Sequence, residues 1–136
     1  MRTQLYYQLS NTAGLTAVVS DRIYPQRVPK SDATPYVVFD VIDREANYQQ
    51  SGYNSFNKML VEISSVGTSI SECVSVRDQV FAALDTEHAE WGDTGDKVQM
   101  HSIKLLTESD NFFLFDGSED GIREITQTYE LNYTEA

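Results

Sequence analysis

The sequence predicts an α+β fold: an antiparallel sheet of about four to five strands, packed by an N-terminal helix and one central amphipathic helix. Three observations support this prediction. Residues 36–43 are rich in β-branched and aromatic side chains, which favour a strand. Residues 70–84 repeat apolar side chains at helical spacing. The predicted order helix, strand, strand, helix, strand, strand is typical of an antiparallel sheet covered on one face.

The N-terminal third combines helical signals with a proline-rich segment. Residues 2–10 are predicted to be helical, and residues 15–19 add one or two further turns after a break at residues 11–14. All three prolines follow, at Pro25, Pro29 and Pro35. Each proline fixes its own φ and biases the preceding residue toward extended backbone. No helix is therefore expected between residues 22 and 35.

The middle of the chain predicts a strand pair followed by the central helix. Residues 45–57 are polar and aperiodic, which indicates a long hairpin loop of a length that is often functional. Residues 58–64 alternate as a half-buried strand does. Ser69 and Glu72 form a capping-box pattern at the start of the helix. The predicted apolar stripe of this helix, interrupted only by an arginine, contains Ile70, Cys73, Val74, Arg77, Val80, Phe81 and Leu84.

The C-terminal third predicts a turn-rich acidic connector over residues 86–97 and a strand over residues 98–108. An apolar run at residues 111–115 and a turn at residues 116–121 come next. Residues 122–133 alternate and predict a long final strand. One side of that strand should carry Ile125, Gln127, Tyr129, Leu131 and Tyr133.

Composition argues against several classes of protein. The net charge of −11 comes wholly from residues 69–136, because residues 1–68 hold equal numbers of acidic and basic side chains. No basic stripe of the kind that nucleic-acid readers carry is visible. Cys73 is the only cysteine, which excludes an intrachain disulfide and a cysteine-rich zinc site. The sequence has no apolar run long enough for a membrane span and no signal-peptide pattern at its start.

Candidate chemical sites are weak. Residues 116–121 match the first half of a calcium loop, but Gln127 stands where a bidentate glutamate belongs, so a hairpin turn is the preferred interpretation. Cys73, His88 and His101 lack the spacing of a metal site or of a nucleophile with its base. We therefore expect no catalytic residues, no metal and no cofactor.

Two groups of aromatic residues lie outside the regular patterns. Phe112, Phe113 and Phe115 precede the acidic turn, and Tyr48 and Tyr53 lie in the long polar loop. They either fold back onto the core as a satellite cluster or become buried on assembly, since exposed apolar patches mark partner surfaces. The sequence leaves both alternatives open.

Residues 17–25, the proline at 29 and residues 35–39 together resemble the tail completion or tail terminator proteins of long-tailed bacteriophages. The resemblance continues through the strand at residues 59–63, the helix at residues 70–84 and the closing strand at residues 126–133. The aromatic run and the acidic turn after it depart from the family pattern.

This resemblance implies a single tail-terminator-like domain over residues 1–136, without catalysis. It implies a structural protein of the virion, assembled in the host cytoplasm, that forms a homo-oligomeric ring, typically a hexamer. The ring would end tail tube polymerisation at the head-proximal end and join the tail to a head-side connector protein. DNA would pass through the lumen without specific binding, and no membrane is involved. The alternatives are a head–tail adaptor or head-closure protein, and a small soluble enzyme or binding domain that uses Cys73, His88 and His101.

Two sets of residues are the candidate sites in this interpretation. The predicted subunit or partner interface contains Arg22, Tyr24, Arg27, Lys30, Tyr48, Tyr53, Phe112, Phe113 and Phe115. The predicted acidic surface, which would line the lumen and let DNA slide by repulsion, contains Asp110, Asp116, Glu119 and Asp120.

Overall fold

The computed structural model describes residues 2–26, 35–47, 56–85, 89–93, 95, 97–113 and 122–135. Within these ranges the helices are α1 (Arg2–Ser10), α2 (Ala13–Val19) and α3 (Ile70–Leu84). The strands are β1 (Ile23–Pro25), β2 (Tyr36–Asn47), β3 (Phe56–Gly67), β4 (Glu90–Trp91), β5 (Val98–Phe113) and β6 (Ile122–Glu135). They form one sheet in the order β1-β2-β3-β6-β5-β4.

The α+β architecture is confirmed, but the number of strands is a correction. The described residues form six strands rather than four to five, and the two additional strands are the short outer ones. β1 pairs in parallel with β2, and β4 pairs with the start of β5. The β4–β5 pair and all other neighbouring pairs of strands are antiparallel. Sequence periodicity missed both short strands because two or three residues are too few to show an alternation.

The helices cover one face of this sheet. The predicted alternation of β6 is confirmed, because all five predicted inward residues are buried. The core between the sheet and the helices includes Leu5, Leu9, Leu15, Val19, Val37, Phe39, Met59, Val61, Ile63, Val76, Val80, Met100, Tyr129 and Leu131. The alternate side chains of β3 and β6 are partly exposed on the opposite face. No described helix covers that face, and we call it the uncovered face.

Helix α3 begins at its predicted cap but presents a different face to the core. The Ser69 hydroxyl accepts a hydrogen bond from the Glu72 amide at 3.2 Å, and the Glu72 carboxylate accepts one from the Thr68 amide at 3.2 Å. The buried side chains are Cys73, Val76, Val80, Ala83 and Leu84. Ile70 and Phe81, which the predicted stripe placed inward, are 44% and 48% exposed. The buried face is therefore rotated from the predicted one, because the helix packs against β3, β6 and α2 together.

We expect the replacement of Ser69 by alanine to lower the free energy of unfolding by about 1 kcal/mol, because it removes the acceptor of the Glu72 amide. Urea denaturation followed by circular dichroism measures this loss. Ser71→Ala is the matched control, since Ser71 is exposed in the first turn and does not cap the helix. Equal stability of the two variants would contradict a capping role for Ser69.

A chain of polar side chains links α3, β5 and β6. The Tyr129 hydroxyl donates to Gln127 Oε1 at 2.7 Å, and Gln127 Nε2 donates to Glu108 Oε1 at 2.9 Å. Arg77 Nη1 then lies 3.5 Å from Glu108 Oε2. We call these four residues the polar chain. It accounts for the arginine within the apolar stripe, and it fastens the β5–β6 pair to the central helix.

Because Tyr129 belongs to the polar chain, the free energy of unfolding depends on pH in the alkaline range. Burial, reinforced by the Glu108 carboxylate, raises the pKa of Tyr129 far above its ordinary value, although Arg77 partly opposes the shift. The folded protein therefore keeps a proton that the unfolded chain releases near pH 10. The resulting stabilisation is complete below about pH 10 and is lost as the pH rises toward the folded-state pKa.

We therefore expect the unfolding free energy of the unaltered protein to fall more steeply above about pH 10 than that of Tyr129→Phe. The difference in slope should reach about 1.4 kcal/mol per pH unit, which is the value for one proton. Denaturation series at several alkaline pH values measure both slopes. Parallel curves would show that Tyr129 titrates alike in the folded and unfolded states.

Candidate assembly surfaces

The β1 edge of the sheet carries an open, largely apolar pocket of about 530 Å³. It forms where α1 lies against β1 and the first half of β2. Its lining residues are Thr3, Tyr6, Asp21, Ile23, Tyr24, Pro25 and Phe39. Ile23 and Phe39 are buried, whereas Tyr6 is 41% exposed. Asp21 is exposed and is the one carboxylate among the described lining residues. We call this site the β1 pocket.

Backbone and side-chain contacts hold the walls of the β1 pocket in place. Arg22 Nε donates to the Pro35 carbonyl at 2.9 Å, which joins the two described ends of the proline-rich segment. The Val37 amide donates to the Arg22 carbonyl at 3.0 Å. The rings of Tyr24 and Tyr36 meet edge to face with their centroids 6.1 Å apart. Of the two described residues predicted as an interface here, Tyr24 lines the pocket, whereas Arg22 binds its own chain.

The opposite edge of the sheet carries the exposed end of β5. Among the described residues, β4 pairs with only Val98 and Gln99 of this 16-residue strand. Every side chain from Lys104 to Phe112 is exposed. Two irregularities in pairing interrupt β5, one between Met100 and Ser102 and one between Leu105 and Thr107. Such bulges twist an edge strand and discourage another strand from pairing with it.

Phe112 is the most prominent apolar side chain at this edge. It is 48% exposed, and the Arg123 guanidinium carbon lies 4.9 Å from its ring centroid. The two residues pair directly across β5 and β6, so the cation–π contact holds the ring at a defined position. Phe113, also predicted as an interface residue, ends β5 in register with Ile122. We call Phe112 and Arg123 together the aromatic knob.

The β1 pocket and the aromatic knob lie at opposite edges but on the same face and near the same end. Ile23 is level with Val37, and the ladder continues through β3 and β6 to Asp110. Phe112 is two residues beyond Asp110, a displacement of about 7 Å along the strand. Asp110 pairs with the buried Ile125 on the helix-covered side, the side that Phe39 faces. Phe112 is two residues further along the strand, so its side chain lies on the same side.

The uncovered face is mainly polar and acidic. By register and alternation, the described charged strand residues on it are Asp40, Asp43, Glu62, Glu90, Glu124 and Glu130, with Lys58 and Lys104. Within the described ranges, the lysine–carboxylate ion pairs at this face are Lys58 Nζ–Glu130 Oε1 at 3.4 Å and Lys97 Nζ–Glu90 Oε2 at 3.5 Å. Asp110 is the one described member of the predicted acidic surface, and it lies on the helix-covered side instead.

Many of the predicted site residues fall outside the described part of the chain. They are Arg27, Lys30, Tyr48, Tyr53, Phe115, Asp116, Glu119 and Asp120. Sequence reasoning missed Tyr6, Ile23 and Phe39 as a pocket because their apolar spacing is also that of core residues. It also missed Arg123, whose contact with Phe112 depends on the register of a hairpin.

Of the three side chains considered for catalysis, the two that the structure describes, Cys73 and His101, lie apart on different faces of the sheet. The Cys73 thiol is buried and donates to the Arg123 carbonyl at 3.1 Å, and burial raises its pKa. His101 Nε2 shares a hydrogen bond with Thr134 Oγ1 at 2.9 Å on the uncovered face. His88 lies outside the described residues. Among the residues the structure describes, no group of three or more His, Cys, Asp or Glu side chains could hold a metal ion.

The fold and its surfaces define a small α+β subunit whose distinctive features are unlike patches at opposite edges of one sheet. The chain belongs to the tail completion protein gp17 family, whose family model matches residues 3–131. This membership confirms the resemblance found in the sequence. The protein is a structural component of a phage tail within the virion, and it is not an enzyme.

Solved structures are similar to the chain in fold. A chain from the virion of a native gene transfer agent particle superposes with a TM-score of 0.66 at 16% identity. The match covers 97% of this chain and 92% of the other, and it shows a shared fold. A second solved chain, 15% identical over 93% of this chain and 88% of its own length, reaches a TM-score of only 0.46. No curated protein sequence matches the chain.

The described helices have 7 to 15 residues. In the described ranges, none is both long enough and apolar enough to cross a bilayer.

Proposed function

We infer that the chain forms a closed ring, with six subunits as the family resemblance implies, at the head-proximal end of the phage tail tube. There it ends tube polymerisation and joins the tail to a head-side connector protein. Residues 1–136 act in this role as one tail-terminator-like domain. The observation that supports ring formation is the pair of unlike surfaces, the β1 pocket and the aromatic knob, at opposite edges of one sheet.

Ring closure requires a heterologous contact, in which one patch of each subunit binds a different patch of the next. A rotation that brings the β1 edge of one subunit to the β5 edge of its neighbour repeats until the ring closes. The two patches lie on the same face and near the same end of the sheet. Neighbouring subunits can therefore make this contact while they keep the same orientation relative to the ring axis. A two-fold axis would instead bring like edges together.

The uncovered face is our proposed wall of the lumen. Its described side chains are mainly polar, and its described carboxylates outnumber its lysines. A lumen with this charge repels the DNA backbone, so DNA passes through without specific binding. The helix-covered side then lies on the outside of the ring. In this proposal the acidic wall of the lumen is the uncovered face rather than the predicted set of Asp110, Asp116, Glu119 and Asp120.

Tube assembly in the presence and absence of the protein tests this function. Tail tube protein alone should polymerise to variable lengths, and addition of this chain should stop growth and place one ring at one end of each tube. Native mass spectrometry reports the number of subunits, and electron microscopy of labelled protein locates the ring. A stable monomer that leaves tube length unchanged would exclude a terminator.

The runner-up function is a head–tail adaptor or head-closure protein, and the same images discriminate between the two. An adaptor binds heads that lack tails and does not limit tube length. A terminator binds the ends of free tubes that lack heads. Binding to heads alone would therefore assign the chain to the head side of the junction.

A further inference from the structure

We propose that the aromatic knob of one subunit inserts into the β1 pocket of the next subunit, with Arg123 facing Asp21 across the interface. This inference rests on the ring proposed above and names the contact that closes it. The occupant of the β1 pocket is thus a second copy of this chain. Its recognition element is an aromatic ring carried beside a guanidinium.

The shapes of the two surfaces are suited to each other. A pocket of about 530 Å³ lies within the range that accepts a drug-sized group, so it has room for a phenyl ring and the adjoining strand residues. Its walls include the half-exposed Tyr6, the β1 residue Tyr24 and the buried side chain of Phe39. Aromatic rings in such surroundings adopt edge-to-face contacts, which add to the gain from burial.

The charges of the two surfaces are also complementary. Among the lining residues that the structure describes, Asp21 is the one carboxylate, and the Arg123 guanidinium already lies over the Phe112 ring. Insertion of the ring therefore carries the cation toward the pocket's carboxylate. Tyrosine, phenylalanine and arginine are the residue types that are enriched at interface centres, and an arginine–carboxylate pair adds orientation.

Strand addition along the free edge of β5 is the competing way to join two subunits. The two bulges in β5 interrupt the row of amides and carbonyls between Met100 and Thr107, so a strand added along the full free edge would meet an irregular partner. Exposed charges on the same strand, Lys104, Glu108 and Asp110, also oppose pairing. These features favour docking by a side chain over extension of the sheet.

Complementary variants test the contact. Phe112→Asp removes the aromatic knob, and Tyr6→Asp places a charge in the β1 pocket. Each variant alone should remain monomeric where the unaltered protein forms rings, with an apparent dissociation constant raised about 30-fold or more. A mixture of the two should form dimers containing one copy of each, because one intact pair of surfaces remains. Circular dichroism verifies that both variants are folded.

Phe81→Asp is the matched control, because Phe81 has the same 48% exposure as Phe112 but lies on α3. Rings should survive this change. Rings that also survive Phe112→Asp would overturn the proposed contact, as would a mixture of folded variants that stays monomeric. Surviving rings would show that a contact other than the aromatic knob closes the ring.

A covalent test separates this contact from the ring itself. Asp21→Cys and Arg123→Cys, combined with Cys73→Ala, should give disulfide-linked ladders up to the full ring on mild oxidation. Within one chain the two positions are at least three strand spacings apart, about 14 Å, beyond the roughly 7 Å limit between Cα atoms of a disulfide. Each single-cysteine variant should stop at linked dimers or remain unlinked.

The outcomes have separate meanings. Rings by mass spectrometry without linked ladders would reject the knob-in-pocket contact and leave the proposed terminator function standing. Failure of the unaltered protein to form rings and to limit tube length would reject the proposed function. Ladders together with variable tube length would support the contact and place the ring elsewhere in the particle.

Discussion

Replacing Trp91 with alanine is expected to remove about 3–5 kcal/mol from the free energy of unfolding, the largest loss we expect from one substitution. Trp91 is fully buried although it belongs to a strand of only two residues. β4 lies between α1 and β5, and the Met100 amide donates to the Ala89 carbonyl at 2.9 Å beside it. Alanine leaves a cavity that such a tightly connected site cannot close.

Phe81→Ala provides the control for this prediction. Phe81 is also a large aromatic residue, but it is 48% exposed, so its truncation should cost less than about 1 kcal/mol. The sequence pattern ranks the two residues in the reverse order, with Phe81 on the apolar stripe and Trp91 in a connector. Trp91 is the only tryptophan, so its replacement removes the tryptophan fluorescence signal. Urea denaturation is therefore followed by circular dichroism for both variants. A larger loss for Phe81→Ala would contradict the observed packing.

Gln127→Met is expected to cost about 1–3 kcal/mol, because it leaves the buried Tyr129 hydroxyl without its acceptor. Methionine has nearly the same shape as glutamine, so packing changes little and the loss reports the hydrogen bond. Glu108 also loses a donor, but its side chain is 39% exposed and water can replace that bond. Equilibrium denaturation in urea measures the change.

The double variant Gln127→Met/Tyr129→Phe makes this prediction specific. Removing both polar partners should recover most of the stability, since an apolar pair of the same shape leaves no unsatisfied group. Thr128→Ala is a control at the next position on β6, on the uncovered face, and should cost less than about 1 kcal/mol. Additive losses in the double variant would show that the two side chains do not depend on each other.

Local patterns were sufficient for several elements. The alternation of residues 122–133 predicted both β6 and the side chains it buries, because a strand packed on one face repeats every two residues. Ser69 and Glu72 predicted the start of α3, because a helix cap involves residues only three apart. The proline-rich segment and the residues after it were distinctive enough to indicate the family, which the family model confirms.

Other features depended on residues far apart in the chain. The pattern of α3 could not reveal which flank of its stripe meets the sheet, so Phe81 was predicted inward and is exposed. β1 and β4 exist because Val37 and Val98 offer them partners, and neither strand has enough residues for a periodic signal. The polar chain similarly joins positions 77, 108, 127 and 129, which no local window contains.

The sequence by itself thus determined the order of the main elements, the cap of α3, the inward face of β6 and the family. Each of these depends on the spacing of neighbouring residues or on a short recognisable segment. Only the tertiary structure decided that Tyr24 and Phe39 line a pocket and that Arg123 covers Phe112 at the opposite edge. The physical reason is that strand register and helix packing bring together residues from distant segments of the chain. The spacing of residues within one segment does not indicate which distant residues it will contact.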